Sequence, residues 1–318
     1  MSEKVALITG LSGQDGSYLA ELLLEKEYEV HGVVRRHSNM TEELGNSKHL
    51  DGKIGVHYGD LLDVHSIGGI LYDVKPDLVF NLAAQSHVGI SSKMPEFTMA
   101  VNSNGVLNLL EQIRLIMPKI RFYQASSSEM FGNNKDEDGF QRETTQMGPV
   151  SPYACAKLCA FNLVQHYRSA YGMFACNGIL FNHESPRRGI NFVTQKIVRG
   201  ALEIKSGKLD KLRLGNLESS RDWGHAKDYV RAMLLMLEHD VPDDYVVSTG
   251  ETHSVREFCQ IVFDKLGMNW EDHVIYDKEF SRPQELNYLK GDSSKVRAIL
   301  GWEPEFTFDG LIEDMLNV

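Results

Sequence analysis

Cysteine is scarce in this chain, and long apolar runs are absent. The four cysteines among 318 residues include no CxxC pair, which excludes a disulfide framework and gives no zinc or redox-dithiol pattern. We therefore expect reduced, buried thiols. No uncharged apolar stretch approaches the ~18 residues that a membrane span needs, and the short run at 4–10, which ends in Gly, is typical of a strand rather than a signal peptide. These absences predict a cytoplasmic protein without a membrane partner.

Basic residues are in the minority. Lys and Arg number 33 against 44 Asp and Glu, a formal net charge of -11, and no basic block stands out. This excludes the basic stripe typical of proteins that bind nucleic acid. An anionic small ligand then needs a few local arginines or helix N-termini that act against the overall field, and such residues should be identifiable.

Short apolar runs alternate with helical patterns through the first half of the chain. The runs cover residues 4–10, 29–35, 53–60, 77–84, 121–127 and 174–182. Such alternation predicts right-handed crossovers and a parallel sheet covered on both faces. We predict an α/β fold with a Rossmann-type doubly wound parallel sheet. Its first domain covers 1–180 with returning segments near 220–252, and a smaller, interleaved domain covers 181–318.

Three spaced glycines follow the first predicted strand and open a helix. Gly10, Gly13 and Gly16 in TGLSGQDG allow a sharp turn and close approach to a pyrophosphate, whose charge is met by N–H groups at the helix N-terminus. The alternative is a tight turn without a ligand, but the strand, turn and helix together favour a dinucleotide. The predicted contacts here are Thr9, Gly10, Gly13, Gln14, Asp15 and Gly16.

The end of the second strand predicts which dinucleotide binds. A carboxylate there accepts hydrogen bonds from the ribose of NAD, whereas an arginine pairs with the 2′-phosphate of NADP. Arg35 and Arg36 stand there without a carboxylate, so we prefer NADP; the alternative is that both arginines are simply solvated. Further predicted cofactor contacts lie after the third and fourth strands: Asp60, Leu61, Leu82, Ala83, Ala84, Gln85 and Ser86.

Tyr153 and Lys157 stand four residues apart in SPYACAK. Ser151 can cap the helix and Pro152 suits its first position. Because residues i and i+4 share a helix face, the Lys157 ammonium can lower the phenol pKa toward neutrality. A tyrosinate can then take a proton from a sugar hydroxyl as hydride leaves the same carbon.

The fifth predicted strand ends in QASSSEMFG, at the carboxyl edge where open α/β sheets bind ligands. A serine hydroxyl there can hydrogen-bond a substrate oxygen. Glu129 adds a carboxylate that a simple dehydrogenase does not need, but that could remove a carbon-bound proton next to a ketone or protonate a departing hydroxide. The alternative is that Glu129 only complements a helix N-terminus.

These motifs resemble the extended short-chain dehydrogenases and, among them, the GDP-mannose 4,6-dehydratases. The resemblance covers nearly the whole chain, and NGILFNHESPRRG with RDWGHAKDYV is specific to the subfamily. The matching segments are TGLSGQDGSYLAELLLEK, LAAQSHV, SSSEMFG, SPYACAKLCA, YGMFACNGILFNHESPRRG, RDWGHAKDYV and RPQELNYLKGD followed by LGWEP.

The resemblance implies a carbon–oxygen lyase that acts on GDP-mannose with tightly bound, recycled NADP. Tyr153 takes the proton of the sugar 4-hydroxyl while hydride leaves C4 for the nicotinamide. Glu129 then removes the C5 proton, water leaves from C6, and hydride returns to C6, which gives GDP-4-dehydro-6-deoxy-D-mannose. Ser127 hydrogen-bonds the reacting oxygen, and Lys157 orients the cofactor ribose.

The resemblance also implies binding residues. His183, Arg188 and Phe97 match cofactor contacts, alongside Tyr153 and Lys157. The implied GDP-sugar contacts are Ser86, Ser127, Glu129, Asn182, Val193, Lys196, Arg221, Arg282 and Glu285. Three features depart from the family pattern: Ser127 replaces a usual Thr, Phe97 replaces a common Tyr, and the segment 37–53 is short. The resemblance implies a homodimer or homotetramer. In relatives the longer loop at this position reaches the cofactor of a neighbouring subunit, so the short segment leaves the choice between dimer and tetramer open.

Other conspicuous residues have simpler interpretations. His183 and His225 lack the paired spacing of metal ligands, so no metal is predicted. Cys155 and Cys159 are interpreted as buried packing, and Trp223 and Trp302 as core residues. Four arginines could each be solvated, but are interpreted as a clamp for phosphate and ribose: Arg187, Arg188, Arg221 and Arg282.

Two other functions stay open on the sequence. An NADPH-dependent nucleotide-sugar reductase or epimerase would keep Tyr153 and Lys157 but would not require Glu129. A catalytically inactive NADP-binding regulator would need none of the three residues, and this chain retains all of them.

Overall fold

The helices and strands come from a computed structural model that describes residues 4–36, 43–280, 284 and 286–317. In the first part of the chain they are β1 (Val5–Thr9), α1 (Gln14–Glu25), β2 (Glu29–Val34), β3 (Gly55–Tyr58), α2 (Val64–Val74), β4 (Leu78–Asn81), α3 (Val88–Ser91), α4 (Pro95–Met99), α5 (Gly105–Ile116), β5 (Arg121–Ser127), α6 (Pro152–Tyr171) and β6 (Ala175–Leu180). In the second part they are β7 (Asn182–Glu184), α7 (Val193–Lys205), β8 (Leu212–Leu214), β9 (Ser220–Arg221), β10 (Trp223–His225), α8 (Ala226–Glu238), β11 (Asp244–Val247), β12 (His253–Ser254), α9 (Val255–Lys265), β13 (Val274–Tyr276), α10 (Ser294–Leu300) and α11 (Phe308–Leu316).

Seven of these strands form one parallel sheet in the order β11-β6-β5-β4-β1-β2-β3. The strand order reverses between β1 and β4, which is where open α/β sheets bind ligands. The predicted doubly wound α/β fold is therefore confirmed. Because all seven strands are parallel, their carboxyl ends meet at one edge.

The sheet is covered on both faces because its strands are apolar on both. Ile8 and Phe80 pack with α1 and α8 on one face. Leu7 and Val79 pack with α2, α5 and α6 on the other, as the two-residue repeat of a strand requires. Within the described ranges, no helix has both the length and the apolar character to cross a membrane.

The second part of the chain adds a separate core. There α7, α9 and α11 pack with β8 around buried side chains such as Ile197, Phe258 and Leu311. Strand β11 returns to the main sheet and pairs with β6, while β7 pairs with β10 outside it. The domain boundary at 180 stays a prediction.

The expectation that the cysteines are buried is wrong for two of the four. Cys155 and Cys159 are exposed, whereas Cys176 and Cys259 are buried. Two residues along an α-helix correspond to a rotation of about 200°, so the thiols point away from the buried Tyr153 face of α6. Two large side chains do occupy the core as predicted, with 2% exposure for Trp223 and 1% for Trp302.

Candidate active site

The glycine-rich turn after β1 leaves no room for side chains. Gly10 has φ +75°, a left-handed conformation that favours glycine, and a Cβ there would lie 2.8 Å from the Ala83 nitrogen. A Cβ on Gly16 would lie 2.4 Å from the Gly10 carbonyl oxygen. Gly13 is the N-cap of α1 and has no side chain to cover the first-turn N–H groups. The turn therefore fits a pyrophosphate, which needs close backbone approach and N–H donors at a helix N-terminus.

Polar side chains tie this turn to β7. The Gln14 amide nitrogen donates to the Asp15 carboxylate at 3.0 Å and to the His183 carbonyl oxygen at 3.1 Å. The Ser185 hydroxyl donates to the Gln14 amide oxygen at 2.7 Å. Three residues predicted to contact the cofactor thus contact one another, so they form a supporting layer beside the turn.

The side chains of His183 and Asp15 form a part-buried contact in this layer. The Nε2 atom of His183 lies 2.8 Å from Asp15 Oδ2, and its Nδ1 atom lies 2.8 Å from the Phe181 carbonyl oxygen. Burial alone lowers the pKa of His183, but the Asp15 carboxylate outweighs it and raises that pKa. Burial raises the pKa of Asp15, but the charge and hydrogen bond of His183 outweigh burial, so the pKa of Asp15 is lowered. The contacts at both ring nitrogens fix the ring orientation.

The remaining predicted cofactor residues lie after β2, β3 and β4, along the same edge of the sheet. Arg35 is exposed directly after β2, and Asp60 is half-buried after β3. Leu61 is 4% exposed and packs beneath that edge. The five residues from Leu82 to Ser86 follow β4, and Phe97 is half-buried on α4.

A π-helical turn fixes the segment after β4. Asn102 lies in the π-helical residues Ala100–Asn104 that precede α5. Its side-chain oxygen accepts from the Gln85 nitrogen at 2.8 Å, and its side-chain nitrogen donates to the Gln85 carbonyl oxygen at 2.9 Å. The Asn102 side chain therefore bonds both backbone polar groups of Gln85, as a neighbouring strand would. It fixes this part of the segment that is predicted to contact the cofactor. π-helical turns are rare and frequent at functional sites.

A buried chain of hydrogen bonds connects the glycine turn to helix α6, which carries the predicted catalytic residues Tyr153 and Lys157. The Thr9 hydroxyl accepts from the Ala83 nitrogen at 3.2 Å and donates to the Asn81 side-chain oxygen at 2.6 Å. Asn81 donates to the Gln124 side-chain oxygen at 2.8 Å, and Gln124 donates to the Ala125 carbonyl oxygen at 3.0 Å. This chain crosses β1, β4 and β5 beneath the predicted cofactor path.

The chain ends at the predicted catalytic lysine. Lys157 Nζ donates to the same Ala125 carbonyl oxygen at 2.7 Å and lies 5.8 Å from the centre of the Tyr153 ring. Helix α6 begins as predicted: the Ser151 hydroxyl accepts from the Ala154 nitrogen at 3.1 Å, and Pro152 occupies its first turn. Tyr153 and Lys157 thus share the buried face of α6 with 9% and 4% exposure.

The expectation that Lys157 lowers the pKa of Tyr153 toward neutrality is wrong in this arrangement. Burial raises the pKa of Tyr153 to about 12, and Glu129 adds to the rise while the hydrogen bond with Ser127 opposes it. Burial also lowers the pKa of Lys157 to about 8. Burial therefore dominates the pKa of both groups, since the Lys157 ammonium lies 5.8 Å from the centre of the Tyr153 ring.

Ser127 and Glu129 lie beside Tyr153 at the carboxyl end of β5. Ser127 ends the strand and caps the short 3₁₀ turn Ser128–Phe131, where its hydroxyl accepts from the Glu129 nitrogen at 3.3 Å. Both side chains are buried, with 8% and 7% exposure. The structure therefore brings together the four predicted catalytic residues: Ser127, Glu129, Tyr153 and Lys157.

The two neighbouring arginines of the loop after β7 diverge. Arg187 pairs with Glu21 of α1 at 2.6 Å, and its guanidinium lies 4.0 Å from the centre of the Tyr18 ring. Arg188 instead stacks on Phe192 at 3.6 Å and pairs with a buried Glu184 at 3.0 Å. Only Arg188 therefore stays with the loop, because α1 holds the Arg187 side chain.

The predicted substrate residues lie on the second part of the chain. Asn182 begins β7, and Arg221 ends β9 with 7% exposure. Val193 is 37% exposed at the start of α7. Lys196 is half-buried on α7, and burial lowers its pKa. Two further predicted contacts, Arg282 and Glu285, lie outside the described residues.

His225 has a structural environment. It is fully buried, its Nε2 atom lies 2.9 Å from Asp314 Oδ2, and its Nδ1 atom accepts from the Lys227 nitrogen at 3.1 Å. Its ring stacks on Phe306 at 3.9 Å. These contacts cap α8 and join it to the C-terminal helix.

Sequence reasoning missed several polar residues that organise the site: Asn81, Asn102, Gln124 and Glu184. A signal exists for Asn81 and Gln124, since Asn81 ends the apolar run in LVFN and Gln124 follows the apolar residues of RFYQASS inside the strand. A polar side chain inside a strand that is buried on both faces needs a partner. The partners are distant in sequence, so the strand pattern alone does not identify them.

The arrangement corresponds to a known class. The UDP-glucose 4-epimerase of Thermus thermophilus, solved with NAD, has a TM-score of 0.85 at 25% identity and covers 98% of both chains. RMD from Pseudomonas aeruginosa, solved with NADPH, has a TM-score of 0.81 at 24% identity and covers 99% of this chain and 98% of its own. With the glycine turn and the Tyr-x-x-x-Lys helix, this fold defines the extended short-chain dehydrogenase class.

Sequence comparison narrows the class. A model of the family described as GDP-mannose 4,6 dehydratase matches residues 7–315. GDP-mannose 4,6 dehydratase 1 of Arabidopsis thaliana is 51% identical and covers 99% of this chain and 89% of the relative. The GDP-mannose 4,6 dehydratase of Homo sapiens is 48% identical and covers 98% and 90%, and that of Vibrio cholerae serotype O1 is 45% identical and covers 99% and 93%. The chain belongs to the GDP-mannose 4,6-dehydratase family.

Proposed function

We propose that the protein converts GDP-mannose to GDP-4-dehydro-6-deoxy-D-mannose and water, with NADP as a recycled cofactor. Family membership supports this assignment. The observation that carries it is the position of Glu129, a buried carboxylate at the carboxyl end of β5 that acts electrostatically on Tyr153. Oxidation of a hydroxyl needs only the tyrosine and lysine of this class, whereas elimination of water needs an additional acid–base group.

The cofactor site fits NADP. The cradle of Gly10, Gly13 and Gly16 suits the pyrophosphate, and Arg35 after β2 suits the 2′-phosphate. NADP, when bound, supplies a hydride acceptor and donor. Asp15 and His183 support the turn from behind, and the segment 82–86 lines the predicted path. Arg188 and Phe97 complete the proposed contacts.

The catalytic residues hold and move protons at defined atoms of the sugar. Tyr153 accepts the proton of the 4-hydroxyl, and the Ser127 hydroxyl hydrogen-bonds the same oxygen. Lys157 orients the cofactor ribose, and its ammonium charge, 5.8 Å from the centre of the Tyr153 ring, acts in favour of the tyrosinate against the effect of burial. The ketone formed at C4 acidifies the proton at C5, which Glu129 removes before the hydroxyl departs from C6 as water. The phenol of Tyr153 therefore transfers the proton at the C4 oxygen, and the carboxylate of Glu129 transfers the protons at C5 and at the departing C6 hydroxyl.

The second part of the chain binds the nucleotide sugar in this proposal. A net charge of -11 makes local positive groups necessary for a pyrophosphate. Arg221 and Lys196 supply such groups among the described residues, and Arg282 does so by its position in the sequence. Further contacts are proposed for Ser86, Asn182, Val193 and Glu285.

The assay uses GDP-mannose with only a trace of NADP+. Mass spectrometry should show loss of one water from the sugar nucleotide, while NADPH absorbance does not accumulate. A stoichiometric accumulation of NADPH would instead identify a dehydrogenase or a reductase running in reverse. An isomer of unchanged mass would identify an epimerase, and NADP binding without turnover of any nucleotide sugar would identify an inactive regulator.

We also propose a homodimer or homotetramer in the cytoplasm. Leu115 on α5 and Tyr171 at the end of α6 are 63% and 50% exposed, which suits contact between copies of the chain. Two exposed thiols on α6 suit a reducing compartment. Light scattering after size-exclusion chromatography should give a mass of two or four chains, and a monomer would contradict the proposal.

A further inference from the structure

A buried carboxylate lies where the sheet meets the second part of the chain. Asp222 stands between β9 and β10 and has 0% exposure. Its Oδ1 atom accepts from the Thr249 nitrogen at 2.9 Å and from the Thr249 hydroxyl at 2.7 Å. Its Oδ2 atom accepts from the Gly250 nitrogen at 3.0 Å and from the Gly291 nitrogen at 3.3 Å. The proposed catalytic steps do not use this group.

The arrangement of donors requires a carboxylate. Both oxygens of Asp222 accept, and three of the four donors are backbone N–H groups that cannot reverse their role. An asparagine has one acceptor oxygen, so in either orientation its amide N–H₂ group faces two donors. Burial raises the pKa of Asp222 to about 6, although these hydrogen bonds oppose the rise. The carboxylate is therefore held in place by its partners against the cost of its burial.

The partners belong to separate segments. Thr249 and Gly250 follow β11, so they extend from the main sheet. Gly291 belongs to the segment 286–292, which we call the strap. The strap is anchored by Leu286 and Leu289, with 1% and 0% exposure, in a cluster that also contains Met130 beside Glu129. Asp222 therefore joins the sheet and the strap at one point.

The strap also lies directly against β9. The Ser220 nitrogen donates to the Asn287 carbonyl oxygen at 2.9 Å, and the Leu289 nitrogen donates to the Ser220 carbonyl oxygen at 3.2 Å. Arg221, a proposed nucleotide contact, is the next residue and donates to that same Ser220 carbonyl oxygen at 2.9 Å. On the other side of Asp222, Trp223 pairs with Asn182, another proposed contact.

We propose that Asp222 is a positioning residue for the nucleotide sugar: by fixing the strap and the 249–250 turn against β9 and β10, it places Arg221 and Asn182 for binding. The inference rests on the proposed function, because both contacts are assigned there. Asp222 itself touches neither substrate nor cofactor, so it acts on binding rather than on the proton transfers of Tyr153 and Glu129.

The test compares two Asp→Asn variants. Asp222→Asn should raise the KM for GDP-mannose about tenfold or more while kcat stays within about twofold, because binding geometry changes and the acid–base groups do not. Asp244→Asn is the matched control. Asp244 is also buried, accepts from Arg168 and Asn177 at 2.8 to 2.9 Å, and lies at the opposite end of β11. It should lose stability without a change in KM.

The outcomes are distinct. An unchanged KM in Asp222→Asn overturns the inference, as does a fall in kcat alone or an equal rise in KM in Asp244→Asn. If Asp222→Asn does not fold, Thr249→Val decides, since it removes only the hydroxyl donor. It should raise KM about two- to threefold, and an unchanged KM overturns the inference.

Calorimetric titration with GDP separates this inference from the proposed function. The Kd for GDP should rise in Asp222→Asn by a factor similar to that in KM, and an unchanged Kd overturns the inference. A wild-type protein that binds GDP but does not convert GDP-mannose would contradict the proposed function alone, and the comparison of Kd values would still test Asp222.

Discussion

Helix α6, which carries the proposed catalytic residues Tyr153 and Lys157, and the junction of Asp222 with Thr249, Gly250 and Gly291 are both buried but are assembled by different means. Tyr153 and Lys157 are placed by the repeat of one helix, four residues apart. Asp222 is placed by donors 27, 28 and 69 residues away. The first arrangement exists wherever α6 forms, whereas the second exists only when the whole chain is folded. The difference indicates that substitutions on α6 and β5 change the chemistry, while substitutions at the junction change binding.

The strongest test of this division is Tyr153→Phe. Loss of the phenol oxygen removes the proton acceptor at the 4-hydroxyl, so kcat should fall by about 10³-fold, while KM changes little. Steady-state kinetics measures both values, and circular dichroism checks that α6 is retained. A KM that rises with an unchanged kcat would place Tyr153 with the binding residues, which would contradict the assignment of α6 to the chemical step.

Glu129→Gln should separate two steps within the catalytic region. The amide keeps the size of the side chain but cannot take the C5 proton, so formation of the dehydrated product should fall by about 10²-fold. Oxidation at C4 should persist, visible as a single-turnover rise in NADPH absorbance. Normal turnover in this variant would remove Glu129 from the central role.

Lys157 should give stability a defined pH dependence. Its folded-state pKa is lowered to about 8 from 10.5, so between these values the unfolded chain binds more protons and stability rises with pH. The free energy of unfolding of the wild type, relative to Lys157→Met, should increase by up to about 3 kcal/mol across this window. Urea denaturation at pH 8 and pH 10.5 measures it, and a constant difference would contradict the prediction.

Gln124→Leu tests the hydrogen-bond chain under the catalytic helix. The change leaves the Asn81 amide without its acceptor in a buried position, which should cost about 2 kcal/mol of unfolding free energy. It should also lower kcat several-fold, because the Ala125 carbonyl oxygen that holds Lys157 loses its second donor. Gln260→Leu, at an exposed position of α9, is the control and should change neither quantity.

Two helix caps give the smallest and sharpest comparison. The Ser151 hydroxyl caps α6 and the Ser254 hydroxyl caps α9, each through a backbone nitrogen three residues on, at 3.1 Å. Ser151→Ala and Ser254→Ala should each cost about 1 kcal/mol, measured by chemical denaturation. Only Ser151→Ala should reduce kcat, since α6, unlike α9, carries proposed catalytic residues; equal kinetic effects would show that the regions are not separable.

The sequence predicted what depends on neighbouring residues. Six strands of the parallel sheet and the start of α6 followed from local patterns. The glycine turn was recognisable because Gly10 and Gly16 must lack side chains where the backbone passes closely. Ser127 and Glu129 were recognisable because a polar run ends a buried strand.

What the sequence did not predict depends on distant partners and on burial. Gln124 accepts a hydrogen bond from Asn81, which lies 43 residues away in the chain. Arg187 pairs with Glu21 of α1 rather than with a residue of its own loop. The pKa of Tyr153 was predicted in the wrong direction because spacing places a lysine nearby but does not show how deeply the phenol is buried.

The two exposed thiols of α6 allow this helix to be labelled with a fluorescent dye. Cys155 and Cys159 lie within two turns of Tyr153 but on the opposite side of the helix. Cys176 and Cys259 are buried, so a maleimide dye added to the native protein attaches selectively to α6. Fluorescence from that label then follows movements of the helix during ligand binding, without a reporter group in the site itself.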